Sequence, residues 1–138
     1  MAVPVNYFAL LAAIVANMVL GFLWYGPLFG KTWMRLSGMN PESAKPAGMG
    51  KTYALMTLGT IIMTFVLLHS LVFASTYTHT TGISAGLMVG FWSWLGFIAP
   101  VTLGSVLWEQ KSWKLWVLNN AYYLVVLMIM GIILAVWM

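Results

Sequence analysis

Few side chains in this chain can carry acid–base or nucleophilic chemistry: two carboxylates, Glu42 and Glu109, two histidines, His69 and His79, and no cysteine. The missing cysteine removes disulfides, thiolate metal sites and thiol nucleophiles together. His69 is the one titratable side chain inside an apolar run, about one turn from its end. It reads either as a proton relay or ligand anchor sensitive to pH, or as a structural histidine bonded to a neighbouring helix or to interfacial water. The structural reading is the expectation. Glu109 follows Trp108 and lies close to Lys111 and Lys114, so it can pair with either lysine, or with Lys31 or Arg35 across a bundle. General acid–base work would require a second partner and a pocket. No Asp, Glu, Lys or Arg sits deep in an apolar run, which argues against proton-coupled exchange through a buried carboxylate. The expectation is a protein without catalytic residues, metal or cofactor. The run Gly48-Met49-Gly50-Lys51-Thr52 resembles the end of a phosphate-binding loop. It lacks the first glycine, Lys45 standing in that place, and no strand precedes it.

The remaining polar candidates are amides and phenols that would face other helices: Asn17, Asn119, Asn120, Tyr122 and Tyr123. Asn17 lies mid-run and must find a partner, expected to be a helix-three or helix-four backbone group. The alternative is a polar lining for a headgroup or small solute. The candidate ligand- or lipid-binding residues are Asn17, Trp24, Tyr25, Lys31, Trp33, Arg35, Asn120 and Tyr123, with Trp24, Trp92 and Trp94 as walls.

These residues need elements to position them, and composition says which. The 138 residues are 62% hydrophobic and 6% charged, against about 25% charged in soluble domains. So much apolar surface calls for lipid as the solvent. A span of ~30 Å takes about 20 apolar residues, and four runs qualify: 5–23, 53–74, 83–107 and 116–137. The fold expected is an all-α integral membrane four-helix bundle in one domain. The six basic residues fall in two stretches only: Lys31, Arg35, Lys45 and Lys51 in the first, Lys111 and Lys114 in the second. The positive-inside rule puts both stretches in the cytoplasm and both termini outside. Trp24, Tyr25, Trp33, Trp108, Trp113 and Trp116 then form the inner aromatic belt, and Tyr7, Tyr77 and Trp137 the outer one. Six cations are too few to neutralise a nucleic acid, so membrane lipids are the expected partners.

The first basic stretch holds a short amphipathic helix over 27–37, with Pro27 as its first residue and Gly38 ending it. Phe29, Trp33 and Leu36 fall within about 60° of each other and Lys31 and Arg35 lie opposite, the pattern of a helix in the headgroup region. Small residues mark the packing faces. On helix three, Gly82, Gly86, Gly90, Ser93, Pro100 and Gly104 project within about 80° of arc, a face for close helix contact and for self-association into a homo-oligomer. Pro100 is expected to bend that helix near 97–100. Helix one carries Asn6, Ala13, Asn17 and Trp24 on one stripe; helix two carries Thr57, Thr60 and Thr64. An echo between Gly21–Trp24 with Lys31 and Trp33, and Gly104–Trp108 with Lys111 and Trp113, is expected to be a coincidence of interfacial residues.

The run Leu23-Trp24-Tyr25-Gly26-Pro27-Leu28-Phe29-Gly30-Lys31-Thr32-Trp33 resembles a bacterial family of small four-helix membrane proteins catalogued as a domain of unknown function. Leu107-Trp108-Glu109, Trp113-Lys114-Leu115 and Asn119-Asn120-Ala121-Tyr122-Tyr123 resemble its second half. The resemblance covers nearly the whole chain and implies an inner-membrane protein of similar topology, with no activity, substrate or catalytic residue to carry over. Two function classes stay open: a non-enzymatic structural or lipid- and partner-interaction protein, and an oligomeric carrier of a small solute or lipid. The charge pattern predicts that a reporter active only in the cytosol stays silent when fused to the carboxyl end, whereas one active only outside gives signal. The opposite result reverses the orientation.

Overall fold

The computed structural model describes residues 3–38 and 49–137; Glu42 and Lys45 lie outside them. Helix α1, Tyr7–Leu23, runs on into a π-helical turn, Trp24–Leu28, and is followed by α2, Gly30–Ser37. Helix α3 covers Met49–Thr78 and α4 Gly82–Ser93; a second π turn, Trp94–Ile98, leads to the short α5, Ala99–Thr102, and α6, Gly104–Leu107. Helix α7, Trp113–Val136, completes the bundle. Four stretches are long and apolar enough to cross a membrane: Tyr7–Leu28, Gly50–Thr78, Gly82–Leu107 and Trp113–Val136. Most of each faces outward with apolar side chains, among them Phe8, Phe22, Ile62, Phe73 and Phe97. Only a hydrocarbon surround makes such a surface stable, because water would penalise every one of those faces.

Caps explain where the helices begin and turn. The Asn6 side-chain oxygen accepts from the Phe8 and Ala9 backbone N–H groups at 3.1 and 3.2 Å, and its amide donates to the Trp137 carbonyl at 2.7 Å. That bond puts the start of α1 and the end of α7 together, at the pole opposite the basic loops. Ser112 caps α7 through the Lys114 N–H at 3.1 Å. Gly38 ends α2 in the left-handed region, φ 76°, where a Cβ would be disfavoured. On α2, Lys31 and Arg35 are exposed while Phe29, Trp33 and Leu36 are half-buried.

Pro27 does not open α2. It lies inside the first π turn, and α2 starts three residues later at Gly30. A proline has no N–H to give and its ring crowds the preceding turn. Widening the helix by one residue relieves that, and the Phe29 N–H reaches back five residues to the Trp24 carbonyl at 2.8 Å. Helix three departs from α geometry in the same way just before Pro100, with the Ala99 N–H bonded to the Trp94 carbonyl. The structural echo in this chain is therefore between Trp24-Tyr25-Gly26 and Trp94-Leu95-Gly96, each opening a π turn, and not between the segments matched by their lysines. Gly30 is confined by the first of these turns: a Cβ on it would fall 2.7 Å from the Tyr25 carbonyl oxygen.

The centre of the bundle is the contact between α4 and α7, the most extensive in the structure. A Cβ added to Gly86 would overlap the Gly131 backbone, and one on Gly90 would lie 2.7 Å from the Leu127 carbonyl oxygen. Ala85, Val89, Leu127, Met130 and Leu134 close around this seam; Ala9 and Ala13 of α1 and Leu67, Leu68 and Leu71 of α3 complete the core. Gly86 and Gly90 of the glycine face expected to join two copies are thus covered by α7 of the same chain. Gly82 takes a left-handed conformation, φ 70°, at the start of α4 with open space around it. Gly104 meets only Trp108. It lies beyond the π turn, whose extra residue shifts the phase of everything that follows.

Helix α3 is held through its second half. Its buried residues run from Thr60 onward, while residues 51–56 are exposed all round. The stripe of Thr57, Thr60 and Thr64 spends its hydroxyls on carbonyls of its own helix, at 2.8, 2.9 and 2.7 Å, leaving few interhelical bonds to draw the first half inward. Introducing a side chain at the seam should be costly. Gly86→Val is expected to lower stability by at least about 3 kcal/mol, since the clash is with backbone that cannot step aside. Gly59→Ala, with nothing within 4 Å of the new methyl, should be neutral or slightly stabilising. Thermal unfolding of the purified protein in detergent checks both.

Candidate functional site

Among the described residues, two cavities open at the basic end of the bundle. The first, about 670 Å³, lies between α1, α3 and α7 where the first half of α3 stands clear. Asn17 and Gly21 face it from α1, Tyr25 from the first π turn, Tyr53, Thr57 and Thr60 from α3, and Asn119, Tyr122 and Tyr123 from α7. The second, about 730 Å³, lies between α2, the α5–α6 segment and α7, and is lined by Thr102, Ser105, Trp108, Glu109, Lys111, Trp116 and Asn120 among others. Trp33, Asn119 and Tyr123 border both.

The partition between them is aromatic and hydrogen-bonded. The Tyr25 hydroxyl donates to the Asn119 side-chain oxygen at 2.8 Å, tying the end of α1 to α7. The Tyr25 ring meets Trp33 and Tyr122 edge-on at 5.8 and 5.1 Å, and Tyr122 and Tyr123 lie 5.6 Å apart, all in the favourable range for ring pairs. Trp24 stands behind this wall against Phe29 and Tyr122 and does not line either cavity. Trp92 points outward, 61% exposed, and Trp94 packs against the core. The walls expected from Trp24, Trp92 and Trp94 are instead built by tyrosines and Trp33. The indole N–H groups of Trp24 and Trp94, each at the first residue of a π turn, are buried without an acceptor among the described residues.

Asn17 finds its partners on α7, in side chains rather than backbone. Its amide donates to the Met130 sulfur at 3.3 Å, and the Tyr122 hydroxyl lies 3.3 Å from both its side-chain and its backbone oxygen. Gly21 makes room for that hydroxyl, since a Cβ there would sit 2.9 Å from it. A thioether is a weak acceptor, so the Asn17 amide remains able to bond a guest in the first cavity. Asn120 is more fully engaged. It donates to the Thr102 hydroxyl and to the Trp116 carbonyl, both at 3.0 Å. Thr102 also accepts from the Trp116 indole N–H at 3.1 Å and donates to the Ile98 carbonyl at 2.7 Å. Asn120 therefore fixes α5 to α7 and shapes the second cavity rather than reaching into it. Thr102 was not singled out from sequence. Its signal is the pairing of a lone hydroxyl two residues after Pro100 with an Asn–Trp pair four apart on a facing helix.

Lys31 and Arg35 project from the outer face of α2 and line neither cavity. His69 is remote from both. Its Nδ1 lies 2.8 Å from the Phe65 carbonyl of its own helix, and its ring sits between Phe65 and Phe73. The partner expected for it was a neighbouring helix or interfacial water; the bond in the structure is to its own helix. Glu109 forms no ion pair among the described residues. It shares the second cavity with Lys111 and is not bonded to it.

Breaking the Thr102 knot should loosen the α5–α7 contact. Thr102→Val leaves the Asn120 amide and the Trp116 N–H without their shared acceptor, and a loss of about 1–3 kcal/mol is expected. Thr102→Ser should retain most of the stability. Thermal unfolding of the two variants side by side measures the difference.

No curated protein and no solved structure matches the chain. A family model described as a protein of unknown function, DUF1761, matches residues 8–135. The match takes in all four spans and the basic end with both cavities, and the chain belongs to the DUF1761 family.

Proposed function

We propose that this is a non-enzymatic membrane protein that binds an amphipathic molecule, a membrane lipid in the first instance, in the cleft between α1, α3 and α7. The observation that carries this reading is the shape of that cleft. Its lips are the apolar faces of α1 and α3, with Met18, Phe22 and Met56, and its floor is polar, with Asn17, Thr60 and the tyrosine cluster. A chain-bearing molecule can enter sideways from the hydrocarbon and present a polar head to the floor, which is how small-molecule sites combine apolar walls with a few placed polar groups. Lys31, Arg35 and Lys51 at the same end favour an anionic headgroup nearby. Helix α2, lying flat in the headgroup layer on the cytoplasmic side, would hold the mouth at the right depth.

A carrier role needs a path to the other face of the membrane. The opposite half of the bundle is close-packed around Ala9, Ala13, Ala85, Met130 and Leu134, which favours binding over passage. Two measurements test the reading. Thr57→Trp, which fills the cleft from its lipid-facing side, should reduce the lipid retained in native mass spectrometry by about tenfold without lowering the melting temperature. In this cysteine-free chain, Asn17→Cys should react with a membrane-impermeant thiol reagent from the basic-loop side only. Undiminished lipid retention by Thr57→Trp overturns the binding cleft, and labelling of Asn17→Cys from both sides establishes a carrier.

A further inference from the structure

We infer that the second cavity, between α2, the α5–α6 segment and α7, is a separate site for a zwitterion that carries an ammonium and a phosphate group. It goes beyond the lipid cleft and does not depend on it. Glu109 is the only carboxylate among the described residues. It faces this cavity, and Lys111, two residues on, faces it too without forming an ion pair among the described residues. Opposite charges lining one space and not neutralising each other leave room for a guest that satisfies both.

The loop that presents them is built, not slack. The Glu109 N–H bonds the Gly104 carbonyl at 3.3 Å and the Lys111 N–H bonds the Ser105 carbonyl at 2.9 Å. Between them Gln110 takes a left-handed conformation, φ 58°, and Ser112 caps the helix that follows. The chain reversal thus holds the acid and the base at the mouth of one cavity.

Three indoles border the same space: Trp33, Trp108 and Trp116. An indole face attracts an alkylated ammonium more strongly than any other side-chain ring. Trp116 is anchored by its N–H bond to Thr102 and Trp33 by its contact with Tyr25. Trp108 is 87% exposed on the loop, free to close over a guest. Lys31, Arg35, Lys51, Lys111 and Lys114 all lie at this end, and their field opposes a simple cation. A zwitterion, whose phosphate offsets or exceeds the ammonium charge, escapes that repulsion. Its ammonium goes to Glu109 and the indoles, and its phosphate to Lys111.

The ligand is either a free solute or the head of a lipid, and the test separates them. The full chain is placed in nanodiscs of phosphatidylglycerol, which has no ammonium, and titrated with phosphocholine, tetramethylammonium and glycerol phosphate by calorimetry. A second set of nanodiscs carries phosphatidylcholine as a minor component, with bound lipid counted by native mass spectrometry. Phosphocholine is expected to bind more tightly than the other two. Glu109→Gln should weaken phosphocholine and tetramethylammonium by about tenfold, whereas Lys111→Gln should weaken phosphocholine alone. Both substitutions are on an exposed loop, and Thr57→Trp should change none of these values, so failure here is distinct from failure of the cleft. Selective retention of phosphatidylcholine that depends on Glu109, without binding of the free headgroup, identifies a lipid as the source. Glycerol phosphate binding as well as phosphocholine overturns the proposal. So does indifference of every probe, free or lipid-borne, to Glu109→Gln, or the absence of binding in both forms.

Discussion

Everything in this bundle is referred to one close approach, the backbone-to-backbone seam of α4 and α7 at Gly86, Gly90 and Gly131. In a hydrocarbon surround apolar side chains gain nothing by leaving lipid for protein, so helices are held by dispersion between closely fitted surfaces and by hydrogen bonds. Glycine supplies the fit. With no Cβ on either side, the two backbones come near enough for Ala85, Val89, Leu127 and Met130 to interlock around them. Helix α1 then leans on α7 through Ala9, Ala13 and Asn17, and α3 joins through its second half, where Leu67, Leu68 and Leu71 meet the core.

The polar groups divide along the same axis. At the pole where the described chain starts and ends, one bond from Asn6 to the Trp137 carbonyl joins first helix to last, and the interior beneath it is apolar. Toward the basic loops the interior turns to amides, phenols and hydroxyls, and here the cavities lie. The change follows from geometry: α3 diverges, the α4 line is broken by its π turn, and the space between is bridged by Tyr25–Asn119 and by the Thr102 knot. The cavities sit where packing is least complete, which is where stability can be given up without losing the fold.

How much of this was legible in the residues depended on whether the property was local. Hydropathy and charge are local, so four spans, the basic end and the stop at Gly38 could all be read directly. A stripe of small residues says that some backbone can approach, but not whose. Gly86 and Gly90 therefore suggested a second copy, and the partner was the α7 backbone of the same chain, at Gly131 for the first and Leu127 for the second. Asn17 announced that it needed a partner, but nothing in sequence could distinguish the Met130 sulfur and Tyr122 hydroxyl from a backbone carbonyl. Asn17, Tyr25 and Tyr123 could be read as a polar lining, but the opening of the cleft between α1 and α3 was not legible. Residues such as Met56 and Phe22 that face it are as apolar as those that face lipid, so a helix leaning away leaves no compositional trace.

The π turn at Trp94–Ile98 accounts for the failure of the simple helical wheel, which placed Gly104 with Gly82 and Gly90. One surplus residue turns all that follows by about 100°. That rotation is what aims Thr102 at Asn120 and Trp116. Removing a single residue from this turn would leave hydropathy, charge and span length almost untouched, yet it would point the hydroxyl into the acyl chains and strand two donors. In this protein a one-residue gap is a rotation of the lower half of a helix, and a scan for apolar segments would pass over it.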